Sequence, residues 1–89
     1  MELNHKFGQL LNDLSEAKTW PDKFRREIDH GIDMRQEIEA ANKTIEQLET
    51  RARQHLISLG CMNPQSFTLN RAIADMLISW YWFKDELAD

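Results

Sequence analysis

Apolar residues recur every three or four positions along most of the chain, which is the spacing of one face of an α-helix. The segment from Phe67 to Leu87 is apolar on two faces. One face carries Leu69, Ile73, Met76, Trp80, Phe83 and Leu87. The other carries Phe67, Ala74, Ile78 and Tyr81, with Trp82 beside them. At about 100° per residue the two sets lie on roughly opposite sides of the helix, so one packing partner cannot cover both.

Two X-Pro steps divide this pattern into three predicted helices. The residue before a proline avoids the α-helical region, whereas proline suits the first helical turn, so Trp20-Pro21 and Asn63-Pro64 predict helix starts. Asn63 is a suitable N-cap. The predicted helices cover about residues 3–18, 21–59 and 64–88 of a single helical domain, 1–89.

Two glycines bear on the predicted ends of the central helix. Gly60 suits the C′ position of a Schellman motif in which Cys61 contacts Leu56. Gly31 lies inside the helix, where glycine costs about 1 kcal/mol of stability relative to alanine. Asp33 and Gln36 could together cap a new helix after it. We favour a continuous helix, with a break at 30–31 as the alternative, because the apolar period passes this segment without losing phase.

The lengths of the helices predict an elongated all-α assembly. At 1.5 Å per residue the central helix spans about 58 Å, the first about 24 Å and the last about 37 Å. Since both connections are short, each flanking helix should fold back antiparallel on the nearer half of the central one, which brings Leu3 close to Trp80 and Phe83. Such a monomer is two helices thick, so we expect a coiled-coil-like bundle completed by a homodimer of four-helix cross-section.

Composition excludes several classes of function. The net charge of −4 argues against direct binding of nucleic acid, which rests on neutralising phosphates with Lys and Arg. The longest apolar stretch is too short for a membrane span. The single cysteine, Cys61, favours a reducing compartment, and the first residues carry no apolar signal-peptide core. We therefore expect a cytoplasmic protein.

Candidate metal and catalytic groups are sparse. The spacing Glu-x-x-His, which can build a di-metal site, occurs as Glu2…His5 and Glu27…His30. Neither pair has the further inward carboxylates that such a site needs. His55 and Cys61 are too few for structural zinc, and His55 is better interpreted as a partly buried, hydrogen-bonded seam residue. We expect no metal, no cofactor and no catalytic residue.

The aromatic cluster from Trp80 to Phe83 carries the functional prediction. Trp80 and Phe83 belong to the inner seam, whereas Tyr81 and Trp82 fall outside it and are residue types enriched in interface hot spots. The predicted partner-binding residues are Phe67, Ile78, Tyr81, Trp82, Asp85 and Glu86. The acidic pair favours a basic target surface.

The favoured function is a non-enzymatic protein-interaction module. It would act as a small regulator or inhibitor that binds a larger protein, by analogy of size and acidity with phage-encoded inhibitors. One alternative is a purely structural coiled-coil subunit that only self-assembles. The other is a small all-helical dimeric enzyme, for which Arg35 is the only basic residue near a seam.

Overall fold

The computed structural model describes residues 2–88, and their side chains from residue 5 onward. These residues form four helices and no strand: α1 (Glu2–Lys18), α2 (Trp20–Asp29), α3 (Arg35–Leu59) and α4 (Pro64–Ala88). The helices α1, α3 and α4 all contact one another, while α2 contacts α1 and α4. None of the described helices is both long enough and apolar enough to cross a membrane.

The position of α1 differs from the prediction, which placed it against the first half of a long central helix. Ser79 Oγ in the second half of α4 donates a hydrogen bond to the Lys18 carbonyl oxygen at 3.3 Å, so the end of α1 lies beside α4. Lys6, near the start of α1, lies close enough to His55 in α3 to affect its pKa. Hence α1 runs parallel to α4 and antiparallel to α3. The predicted proximity of Leu3 to the aromatic cluster concerns a side chain outside the described residues.

The cross-section contains three helices, and the predicted two-helix thickness is wrong. α1 packs mainly against α4 and also touches α3, instead of covering the first part of a long central helix. The molecule measures 46 × 22 × 17 Å. Its core therefore closes within one chain, which removes the argument that a dimer is needed to complete it.

The Trp20-Pro21 step bends the chain without reversing it. Only Thr19 separates α1 from α2, and its φ of −85° and ψ of −11° stay in the right-handed helical region. Its Oγ1 donates to the Glu16 carbonyl at 2.6 Å. Because Pro21 lies in the first turn of α2, its missing N–H leaves no helical hydrogen bond unmade. The chain therefore continues in nearly the same direction.

The reversal occurs at Gly31, so the favoured continuous helix is wrong and the alternative break is present. Gly31 has a φ of +81°, which an L-residue adopts only with strain. Its N–H donates to the Ile28 carbonyl at 2.9 Å, and the Ile32 N–H donates to the Glu27 carbonyl at 3.0 Å. These two bonds form a Schellman motif. After the turn, Asp33 Oδ1 accepts the Arg35 N–H at 3.1 Å as α3 begins.

The α3–α4 connection follows the predicted cap but not the predicted Schellman motif. Gly60 has φ +83° and ψ +157°, a region open essentially to glycine alone. Its N–H donates to the Leu56 carbonyl at 3.1 Å, and within this described loop the paired Schellman bonds are not made. Asn63 Oδ1 accepts the Gln65 N–H at 2.9 Å, which confirms the N-cap. Ser66 Oγ donates to the Gly60 carbonyl at 2.6 Å and closes the turn.

The inner face of α4 forms the centre of the core. Its buried residues are Leu69, Ile73, Met76, Trp80 and Phe83. Phe24 from α2 stacks on Phe83 with ring centroids 5.9 Å apart and meets Trp80 edge-on at 6.1 Å. The Trp80 indole N–H donates to Asn42 Oδ1 of α3 at 2.9 Å. The predicted seam is confirmed except at Leu87, which is 45% exposed.

Candidate interaction surface

The face of α4 opposite the core is exposed along its second half. We define the outer strip as Arg71, Ala74, Ile78, Tyr81, Trp82 and Asp85, all of which are exposed. Ile78 is 49% exposed, Tyr81 52% and Trp82 68%. These positions lie within about 60° of Ile78 around the helix, so they share one face. The helices α1 and α3 cover the inner seam of α4 and leave this strip uncovered.

Phe67 is separated from the rest of the predicted site. It is 77% exposed, but eleven positions, or about 16 Å of helix, lie between it and Ile78. Phe67 instead lines a groove of about 430 Å³ next to the α3–α4 loop, together with Ile57 and Cys61. The structure thus divides the predicted site into a loop-end patch and the outer strip.

A shallow groove of about 280 Å³ adjoins Trp82. Asp75, Ile78 and Ser79 line it from α4, while Lys18 and Arg25 line it from the bent α1–α2 segment. Sequence reasoning missed this groove, because it depends on the chain continuing past Pro21 instead of turning back. Its two cations lie beside the aromatic ring that was predicted to anchor a partner.

Asp85 and Glu86, which were both predicted to bind a partner, have different surroundings. Glu86 accepts two hydrogen bonds of 2.8 Å from the Arg25 guanidinium, which also bonds Asp22 and lies 5.4 Å from the centre of the Phe83 ring. The hydrogen bond from Arg25 lowers the pKa of Glu86. Glu86 therefore joins α2 to α4, and only Asp85 offers its charge to a partner.

His55 is the polar group in the core. It is 2% exposed, and its Nε2 has no hydrogen-bond partner among the side chains and backbone groups that the structure describes. Burial, followed by the nearby positive charge of Lys6, lowers the pKa of His55. The predicted seam position is confirmed, but the side chain is buried more deeply than expected and its Nε2 lacks the expected hydrogen bond. Both features disfavour the charged form.

The other candidate chemical groups lie apart from one another. His30 Nδ1 is 2.7 Å from the Arg26 carbonyl oxygen at the exposed end of α2. Cys61 is a free, exposed cysteine. Glu2 of the first Glu-x-x-His pair has a side chain outside the described residues. Among the side chains that are described, no group of three His, Cys, Asp or Glu residues is placed to hold a metal ion.

A second apolar groove, of about 500 Å³, lies at the opposite end of the molecule from the α3–α4 loop. Ile28 and Ile32 from the Schellman turn, Ile38 from α3 and Leu87 from α4 line it. Leu87 is 45% exposed and lies beside the residues of the turn that follows α2. A sequence signal for this groove existed in Ile32, since the residue after the αL glycine of a Schellman motif is commonly apolar.

Comparisons with protein-family models, with curated proteins and with solved structures find no match for this chain. The function must therefore be argued from the geometry and chemistry of its surface. The outer strip combines large apolar side chains, hot-spot residue types and charges that take part in no ion pair within the described residues.

Proposed function

We propose that this protein is a non-enzymatic interaction module that binds another protein surface through the outer strip of α4. The observation that carries the proposal is the exposure of Ile78, Tyr81 and Trp82 on adjoining turns of one helix. Isolated exposed apolar residues are ordinary, whereas a contiguous patch rimmed by polar residues marks an interaction site.

Trp82 is the proposed anchor of the contact. Trp and Tyr provide large areas with few rotatable bonds, so they lose little conformational entropy on binding and dominate many hot spots. The groove beside Trp82 gives a partner side chain a concave place to enter, and Lys18 offers it positive charge. Asp85 supplies a negative charge toward the other end of the strip. The proposed partner surface therefore carries both positive and negative charges.

The proposed role is that of a small regulator or inhibitor that acts by occupying a surface of a larger protein. Binding through one helix face needs no catalytic group, cofactor or metal. The single cysteine, free and exposed, fits a reducing compartment, and we place this role in the cytoplasm. Membranes and nucleic acids are not among the proposed partners.

Site-specific photo-crosslinking in the native host tests this proposal. A photoreactive phenylalanine analogue replaces Tyr81 in one variant and exposed Gln47 on α3 in the control. We expect covalent adducts from position 81 and none of comparable yield from position 47. Absence of adducts from position 81, in a variant with an unchanged circular dichroism spectrum, would contradict the proposal.

The contribution of Trp82 can be measured once an adduct identifies the partner. Trp82→Ala should weaken binding by about 2 kcal/mol, roughly 30-fold in Kd, because it removes a hot-spot aromatic. The melting temperature should hardly change, since the side chain is 68% exposed. Unchanged affinity for that partner would remove Trp82 from the site.

A further inference from the structure

We infer that the outer strip binds a second copy of this chain, with the two α4 helices antiparallel across a two-fold axis that passes between the two Ile78 side chains. This inference rests on the proposed function, because the second copy would occupy the same outer strip that is proposed to bind a larger protein. A two-fold interface brings the same patch together twice, so each residue before the centre must suit one after it. Both the charged residues at the ends of the strip and the side chains nearer its centre meet this requirement.

The charges of the strip are arranged symmetrically about Ile78. Arg71 lies seven positions before it and Asp85 seven positions after it, each about 10 Å along the axis. In the antiparallel pair each Arg71 lies level with the partner's Asp85, which gives two interactions between opposite charges. A parallel pair would place identical charges opposite each other. Charge complementarity therefore selects the antiparallel arrangement.

The side chains nearer the centre also complement one another. Ala74 and Tyr81 lie on one side of the strip, so the small alanine leaves room for the partner's tyrosine ring. Asp75 and Trp82 lie on the other side, where the carboxylate can accept a hydrogen bond from the partner's indole N–H. A two-fold axis perpendicular to the helices keeps each such pair on the same side. The two Ile78 side chains then meet at the centre.

The pairing of charges within one chain supports this arrangement. Two other charged residues of α4 are engaged internally: Lys84 Nζ donates to Asn42 Oδ1 at 3.1 Å, and Glu86 binds Arg25. Within the described part of the chain, Arg71 and Asp85 are exposed and take part in no ion pair. Asp75, which is partly buried beside Trp82, also takes part in no described ion pair and is the residue placed opposite the partner's indole N–H. The antiparallel dimer would pair the two exposed charges, Arg71 with Asp85.

The size of the strip sets the expected strength. A standard interface buries about 800 Å² on each partner, whereas a fully buried Tyr or Trp contributes about 150–250 Å². Tyr81 and Trp82 are already half or one-third covered, so the strip falls at the small end of the range. We therefore expect a reversible dimer that dissociates on dilution in the micromolar range.

Charge reversal tests the register by sedimentation equilibrium at low salt. Arg71→Asp and Asp85→Arg each place like charges opposite each other, and each should raise the dimer dissociation constant roughly tenfold or more. The double variant Arg71→Asp/Asp85→Arg should restore the original value. Single variants that dimerise as well as the unchanged protein would overturn the antiparallel register.

Crosslinking supplies a second test that does not depend on energies. In a Cys61→Ser background, the variant Arg71→Cys/Asp85→Cys should form dimers with a short bismaleimide. Either cysteine alone should not, because the two copies of that position lie about 21 Å apart along the axis. Dimers from the single variants and not from the double variant would overturn the arrangement.

The outcomes separate this inference from the proposed function. If the unchanged protein stays monomeric at high concentration while position 81 crosslinks to a different protein in the host, the dimer is wrong and the interaction module stands. If position 81 crosslinks to nothing and the protein is monomeric, both are wrong. Adducts of twice the chain's mass from position 81, together with the charge-reversal pattern, support the dimer and the use of the outer strip as a protein-binding surface, whereas a role on a larger protein also needs adducts with a different protein.

Discussion

Trp80 and Trp82 are two residues apart on α4, and they illustrate two different uses of the same side chain. Trp80 is 1% exposed, touches the rings of Phe24 and Phe83, and donates its indole N–H to Asn42. Trp82 is 68% exposed and borders a shallow groove. The inner tryptophan meets groups from three helices, and the outer one meets the edge of the α1–α2 bend.

This difference shows which face maintains the fold and which is free for association. The inner face is covered because α1, α3 and α4 contact one another, so the core closes within one chain. The outer strip contributes little to that core. Substitutions on the inner face should therefore change stability, and substitutions on the outer strip should change association.

The largest expected effect comes from placing a charge on the inner face. Ile73 is 1% exposed, so Ile73→Asp should destabilise the fold by several kcal/mol and abolish the helical circular dichroism spectrum. Ala74→Asp, on the adjacent exposed position, is the matched control and should leave the spectrum unchanged. Equal loss of helix in both variants would mean that the two faces are assigned wrongly.

Truncation of the two tryptophans should differ by several kcal/mol. Trp80→Ala should lower the free energy of unfolding by about 3–5 kcal/mol, because it leaves a large cavity and removes the hydrogen bond to Asn42, whose Oδ1 keeps the bond from exposed Lys84. Trp82→Ala should change it by about 0.5 kcal/mol or less under dilute conditions. Urea titrations of both variants measure these values, and a large effect of Trp82→Ala would place it in the core.

The pH dependence of stability should report on His55. Because its pKa is lowered in the folded state, the unfolded chain binds the proton more readily. Stability is therefore fully present above the ordinary histidine pKa of about 6.5 and declines as the pH falls below it. His55→Leu removes a buried polar atom that lacks a partner within the described residues, so it should raise stability by about 1 kcal/mol and flatten this decline between about pH 5 and 7.

Melting temperatures of the unchanged protein and of His55→Leu across this pH range make the comparison. A decline that is as steep in His55→Leu as in the unchanged protein would assign the titration to the wrong residue.

The smallest expected effect belongs to the exposed ion pair between α2 and α4. Arg25 lowers the pKa of Glu86, so the pair stabilises the fold above the ordinary glutamate pKa and is lost as the pH falls through the lowered value. Glu86→Gln should lower the melting temperature slightly at low salt and not at high salt, because salt screens exposed charges. Asp85→Asn is the control and should leave the monomer's melting temperature unchanged.

The helical class and the two faces of α4 could be predicted from the sequence because both follow from local periodicity. Which helices pack against each other could not be predicted in the same way. Trp20-Pro21 and Gly31 were both recognised as interruptions, but their roles were reversed. Proline is compatible with the first helical turn, so the chain only bends there, whereas Gly31 adopts the positive φ that a Schellman turn needs.

The partners of individual side chains could not be predicted, because they follow from that topology. Arg25 reaches Glu86 only because α2 runs beside the end of α4. Asn42 was not singled out, although a buried Trp usually needs an acceptor for its N–H, and this need pointed to a polar residue on a facing helix. The groove beside Trp82 likewise depends on the bend at Thr19.

We propose that the outer strip drives association without contributing to the fold. The most direct test compares the unchanged protein with Ile78→Asp by sedimentation velocity over a wide range of concentrations, alongside thermal melting. We predict a dimer that dissociates on dilution for the unchanged protein, and for Ile78→Asp a monomer at every concentration with the helical spectrum retained. A variant that still dimerises, or one that loses its fold together with its association, would contradict the claim.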